Sequence, residues 1–114
     1  MDVDLFAGVP VNDYPAALAW YERLLGSPPT FLATDTEAVW ELAAHRWVFI
    51  EQRPERAGHS MLTILVDDLD SYVAHIAERG LEPSSWEPNL PDGMRKAVYY
   101  DPDGNEFGIG GAPV

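Results

Sequence analysis

The side chains able to make or break bonds in this 114-residue chain are few, and most are spoken for by local structure. No cysteine is present, which excludes thiol nucleophiles, disulfides, zinc-thiolate sites and iron–sulfur clusters. Ser60, Ser71, Ser84 and Ser85 stand outside any strand-turn-helix elbow that would expose a nucleophile. The glycine-rich run Gly108-Ile-Gly-Gly111 precedes no helix and so cannot cradle a phosphate. Asp67-Asp68 and the pair Asp101 and Asp103 fit helix-cap and turn positions better than an acid/base pair. His45 and His59 fall in turn or loop sequence, and His75 on the polar side of a helix. What remains is aromatic: Trp20, Trp40, Trp47, Trp86, Tyr99 and Tyr100, besides the phenylalanines. Rings bury much area with few rotatable bonds and stack on flat molecules. Strand alternation groups Trp47 with Phe49 and Glu51, Trp40 with Leu42, and Tyr99 with Ala97, without saying which face is open.

The elements that must position these groups come as a repeat. Val11-Asn12-Asp13 opens into a helical run ending at Gly26, and Val66-Asp67-Asp68 opens into a second ending at Gly80. Ala17, Leu18, Tyr21, Leu24 and Leu25 recur at helical spacing in the first, and Leu69, Tyr72, Val73 and Ile76 in the second. Asp13 and Asp68 are placed to cap, and the two glycines to terminate. Strands are expected at 30–34, 38–43 and 47–52 after the first helix. After the second they are expected at 85–87, 96–100 and 106–110, with a hairpin turn at Asp101-Pro-Asp-Gly-Asn105. The reading is a βαβββ module written twice in one domain, about residues 1–53 and 60–114, joined by the polar stretch 53–60. A formal net charge of −12 disfavours nucleic acid and anionic membrane as partners and leaves neutral or cationic small molecules. No basic leader or long apolar run opens the sequence, so a cytoplasmic protein is expected.

Phe6-Ala-Gly-Val-Pro-Val-Asn-Asp13 leading into Ala19-Trp-Tyr-Glu-Arg-Leu-Leu-Gly26, with a closing Tyr100-Asp-Pro-Asp-Gly-Asn105, resembles the vicinal oxygen chelate superfamily of glyoxalases, bleomycin-resistance proteins and dioxygenases. The bleomycin-resistance branch is the nearest. The resemblance implies an α+β fold in which two βαβββ modules curve into a half-open barrel around a cleft, in a homodimer. It also implies where a divalent cation would sit in metal-dependent relatives. Those positions fall here on Phe6 and Met61 in the first strands, Gly108 in the closing strand, and Glu51. Three of the four lack a suitable donor, so no metal and no cofactor is expected. A displaced set of Glu51, His59 and Glu106 is the alternative, and would support a glyoxalase-like lyase or isomerase. The expected function is metal-independent binding of an aromatic or cationic small molecule, such as antibiotic sequestration. The expected ligand-binding residues are Phe6, Trp47, Phe49, Glu51, Met61, Met94, Tyr99 and Gly108. Met94 and Arg95 follow a loop where relatives carry a mobile segment over the cleft.

Overall fold

A computed structural model of the chain describes residues 2–112. The first module runs β1 (Leu5–Val11), α1 (Tyr14–Leu25), β2 (Phe31–Thr34), β3 (Glu37–Ala43) and β4 (Arg46–Gln52). The second runs β5 (Met61–Leu65), α2 (Leu69–Glu78), β6 (Ser85–Glu87), β7 (Arg95–Tyr100) and β8 (Glu106–Gly111). The two sheets have the same topology, β1-β4-β3-β2 and β5-β8-β7-β6, with the first and last strands of each module paired in parallel. Neither sheet closes into a barrel. The expected α+β fold of twin βαβββ modules is the one observed, and strand limits differ from the sequence reading by a residue at most.

Both helices start where an aspartate can hold a free backbone N–H. The Asp13 carboxylate accepts from the Ala16 amide and the Asp68 carboxylate from the Ser71 amide, each at 3.2 Å. These bonds hold the Asp68 carboxyl below its ordinary range. Tyr14, Ala17, Tyr21 and Leu24 of α1 and Leu69 and Ile76 of α2 are buried. They join Val9, Val11, Val48 and Ile50 of the first sheet and Ala97, Tyr99, Phe107 and Ile109 of the second in one core. Strand alternation then leaves the opposite face of each sheet free of helix.

The modules are fastened at the β7–β8 turn. Asn105 Nδ2 donates to the Pro10 carbonyl at 2.9 Å, while its Oδ1 accepts from the amides of Gly58 and Ser60. The Asp103 carboxylate accepts from the Asn12 amide at 2.9 Å. The Arg79 guanidinium donates to the carbonyls of Arg23 and Leu24, closing the C-terminal end of α1 from the other module. Gly58 has φ +92°, and a Cβ there would lie 2.7 Å from the Asp103 carbonyl oxygen. Gly58→Ala is therefore expected to cost about 2 kcal/mol or more. A calorimetric melt should show a drop of roughly 8 °C.

Candidate functional site

On the first sheet the helix-free face carries Phe6, Gly8 and Pro10 of β1, level with Trp47, Phe49 and Glu51 of β4. Phe6 stacks on Trp47 with ring centroids 5.2 Å apart and planes 6° off parallel, and Phe31 meets Trp47 edge-on at 6.1 Å. Phe49 lies across β1 because Gly8 leaves room; a Cβ on Gly8 would sit 2.5 Å from Phe49 Cζ. The free parts of this aromatic group are Phe6, 48% exposed, and Phe31, 46% exposed. Glu51 lies on the same face, two residues beyond Phe49. Its carboxylate is ion-paired with Arg53, whose pKa it raises through that hydrogen bond and charge, and it stands opposite Glu37 on β3.

The second sheet is built differently on its corresponding face. Met61, Thr63 and Leu65 stand level with Glu106, Gly108 and Gly110. The stem of Lys96 crosses β8 at Gly108, where a Cβ would be 2.9 Å from Lys96 Cδ. The Lys96 ammonium lies 3.3 Å from Glu87 and 4.0 Å from Glu106, and the Tyr100 hydroxyl donates to Glu106 at 3.4 Å. One sheet thus presents rings and the other a lysine between carboxylates.

Strand register separates several residues that the sequence reading grouped. Phe6 is level with Trp47, whereas Glu51 is level with Pro10, four residues or ~13 Å farther along the strand. Met61 is level with Glu106, and Gly108 with Thr63. Tyr99 is on the helix-facing side of β7, 1% exposed, so it packs in the core and reaches no open face. Met94 is half-buried in the chain between the turn at Pro91–Gly93 and β7, its carbonyl accepting from the Leu90 amide. At the four positions where the resemblance implies a divalent cation, Phe6 and Gly108 offer no donor atom and Met61 only a thioether, while Glu51 is held by Arg53. That donor set does not fit a hard cation. Among the described residues no three of His, Asp and Glu converge, so Glu51, His59 and Glu106 are not brought together.

A feature the sequence reading did not find is a cavity of ≈ 820 Å³ at the start of β1 and β4, bounded on the far side by β5 and α2. Leu5, Ala7, Leu42, Val48, Leu62 and Ile64 line it, with Trp40, Trp47 and Tyr72, and among the described residues Glu41 and Arg46 are its charged lining residues. Such a volume and apolar lining suit a drug-sized organic molecule. These residues read as ordinary core in a single strand, and only the gap between two modules turns them into a wall.

Four tyrosines of the chain resist ionisation, Tyr72 in the cavity wall among them. Burial pushes Tyr14, Tyr21, Tyr72 and Tyr99 above the ordinary 10.0, Tyr21 further through the Asp101 charge, and Tyr99 up to about 12. In the unfolded chain they release protons near pH 10, before the folded protein does. Stability is therefore intact below pH 10 and is lost as pH rises from 10 toward the folded values. Thermal melts from neutral pH to pH ~11 should fall steeply only above 10, with tyrosinate absorbance appearing together with unfolding.

The model for the glyoxalase/bleomycin resistance protein/dioxygenase superfamily matches residues 4–109. The chain belongs to this superfamily. A glyoxalase / bleomycin resistance protein from Catenulispora acidiphila, known from its crystal structure, is 49% identical. It covers 98% of this chain and 100% of its own, with a TM-score of 0.93. Two solved structures of lower identity share the fold of this superfamily protein. A bleomycin-binding protein solved with bleomycin is 20% identical, covering 99% and 100% of the two chains, TM-score 0.75. TnmS3, an antibiotic binding protein from a Streptomyces species, is 22% identical, covering 99% and 98%, TM-score 0.72. No curated protein sequence matches this superfamily member. No helix among the described residues is long and apolar enough to cross a membrane.

Proposed function

We propose that this protein sequesters a flat, largely apolar small molecule, without a metal and without chemical conversion, in the manner that antibiotic-binding members of the superfamily suggest. The observations that carry the reading are an ≈ 820 Å³ largely apolar cavity that Trp47 borders, the exposed Phe6 and Phe31 packed on that tryptophan, and a donor set at the implied cation positions that does not suit a hard cation. Removing a ring system from water into such a wall provides the drive. The −12 charge attracts cationic ligands at long range and speeds their encounter more than it tightens their hold.

The working unit in this reading is a homodimer. What supports it is that β1 and β5 each have a hydrogen-bonded strand on one side only, with Leu5, Met61 and Leu65 about two-thirds exposed or more beside those edges. Unpaired, apolar strand edges are the kind of surface a second copy covers. Sedimentation at micromolar concentration should give twice the chain mass of 12.7 kDa.

The test is a calorimetric titration with bleomycin and a panel of planar aromatic and cationic antibiotics. Micromolar binding by at least one planar compound is expected. No binding below the millimolar range across the panel would remove sequestration, and stoichiometric metal in protein purified without chelator would overturn metal independence.

A further inference from the structure

The two faces of the first sheet carry different groups at the start of β4. Arg46 and Val48 are level with Leu5 and Ala7 of β1, and Val48 with Trp40 of β3, so these side chains share one face. That face is the wall of the ≈ 820 Å³ cavity, which Leu62 and Ile64 bound from the second module. Trp47 turns to the opposite face, where Phe6 stacks on it. Glu41 is level with Trp47 and shares that opposite face. Of the two charged residues along the cavity, Arg46 is therefore the one on its side of the sheet.

With 19 Asp and Glu against 7 Lys and Arg, the chain has carboxylates in excess for every cation. Arg53 holds Glu51, Arg95 holds Asp70, and Lys96 lies between Glu87 and Glu106. Arg46 forms no ion pair with any described residue. Asp4, next to the Leu5 that is level with Arg46, is bonded to His45 instead. The structure thus leaves an exposed guanidinium beside an apolar hollow. A guanidinium takes a carboxylate through two parallel N–H···O bonds, a geometry that an ammonium lacks.

Resting on the reading of this cavity as a ligand site, we propose that its ligand is an apolar monocarboxylate, with Arg46 binding the carboxylate and the wall of Ala7, Val48, Leu62 and Ile64 taking the hydrocarbon body. The charge of −12 acts against an anion at long range. At physiological salt that field is screened beyond about 8 Å, so the distant charges slow the encounter while contact with Arg46 decides the affinity. An acidic chain without a local cation would favour a neutral ligand over its anion. Preference for the anion is therefore a specific readout of Arg46.

The probes are 2-naphthoate and 2-naphthamide, which have nearly the same shape and differ in charge at neutral pH. Calorimetry on the wild type should show the carboxylate binding about tenfold tighter. Arg46→Gln should bring the two probes level by weakening the carboxylate alone. Arg56→Gln makes the same change in net charge at an exposed arginine that does not line the cavity, and should keep the preference. In the wild-type complex, intermolecular NOEs should connect the naphthalene protons to the methyl groups of Leu62 and Ile64. Equal affinities or a preference for the amide in the wild type overturns the proposal and leaves the binding reading in place. So does a preference that survives in Arg46→Gln or disappears equally in Arg56→Gln, and so do NOEs that reach neither methyl group. A cavity sealed by a second copy of the chain would bind neither probe, which overturns the proposal as well; failure of the antibiotic panel in addition removes sequestration itself. The wild-type affinities and NOEs stand even if a variant does not fold.

Discussion

Asp101→Ala is expected to unfold the protein at physiological temperature, or to leave it so close to threshold that it melts tens of degrees early. Asp101 is 5% exposed. One of its oxygens accepts from the backbone amides of Asp103 and Asn105, both at 2.9 Å. The other accepts from the Tyr21 hydroxyl at 2.9 Å and from Asn105 Nδ2 at 2.8 Å. Alanine leaves the Asp103 and Asn105 amides and the Tyr21 hydroxyl without this acceptor around a small void, and Asn105 Nδ2 with the Pro10 carbonyl alone. Breaking a buried charged hub of this kind costs about 3–5 kcal/mol, against a total stability of roughly 5–15 kcal/mol for a domain of ordinary size. Tyr21→Phe removes only one of the four donors and should cost about 1 kcal/mol. Chemical denaturation of the two variants side by side separates loss of the hub from loss of one bond.

Trp47→Ala has the largest expected effect on function. Its ring supports both exposed phenylalanines, so the substitution removes their platform. Central aromatic anchors carry about 2 kcal/mol or more of binding, which is roughly a thirtyfold weakening. Stability should change less than this, because the side chain sits on the open face, and helix-facing Val48 and Ile50 keep the sheet packed. A titration with whichever panel compound binds the wild type best, alongside a melt, gives both numbers. A loss of binding no larger than the loss of stability would remove Trp47 from the site.

Features set by a few neighbouring residues could be read from the sequence. The capping bonds of Asp13 and Asp68, the glycine stop at Gly26 with φ +80°, and the turn from Asp101 to Asn105 each depend on side chains within four positions of one another. The repeat offset linking Asp13 to Asp68 also fixed which strands correspond. Parallel register could not be read in this way. The pairing of β1 with β4 spans a helix and two strands, so nothing local told that Phe6 would be level with Trp47 and not with Glu51. Alternation grouped Tyr99 with Ala97 correctly, but α2 decides which of the two faces is buried, and helix docking is a tertiary event. Asp101 looked like a turn residue and is one. Its bond to Tyr21, 80 residues away, made it the joint between modules. The cavity is the extreme case, since its walls belong to both halves.

The asymmetry at Gly8 and Gly108 reaches beyond packing. Register and repeat together make Gly8 the counterpart of Thr63, and Phe49 the counterpart of Gly108. In one module the small residue is on the first strand and a ring from the last strand covers it. In the other the small residue is on the last strand and a lysine stem covers it. The two halves thus place bulk on opposite partner strands, and one carries a hydrocarbon surface where the other carries charge. Any molecule lying across both halves meets a different surface at each end, so a guest with unlike ends would be held in one direction in preference to the other.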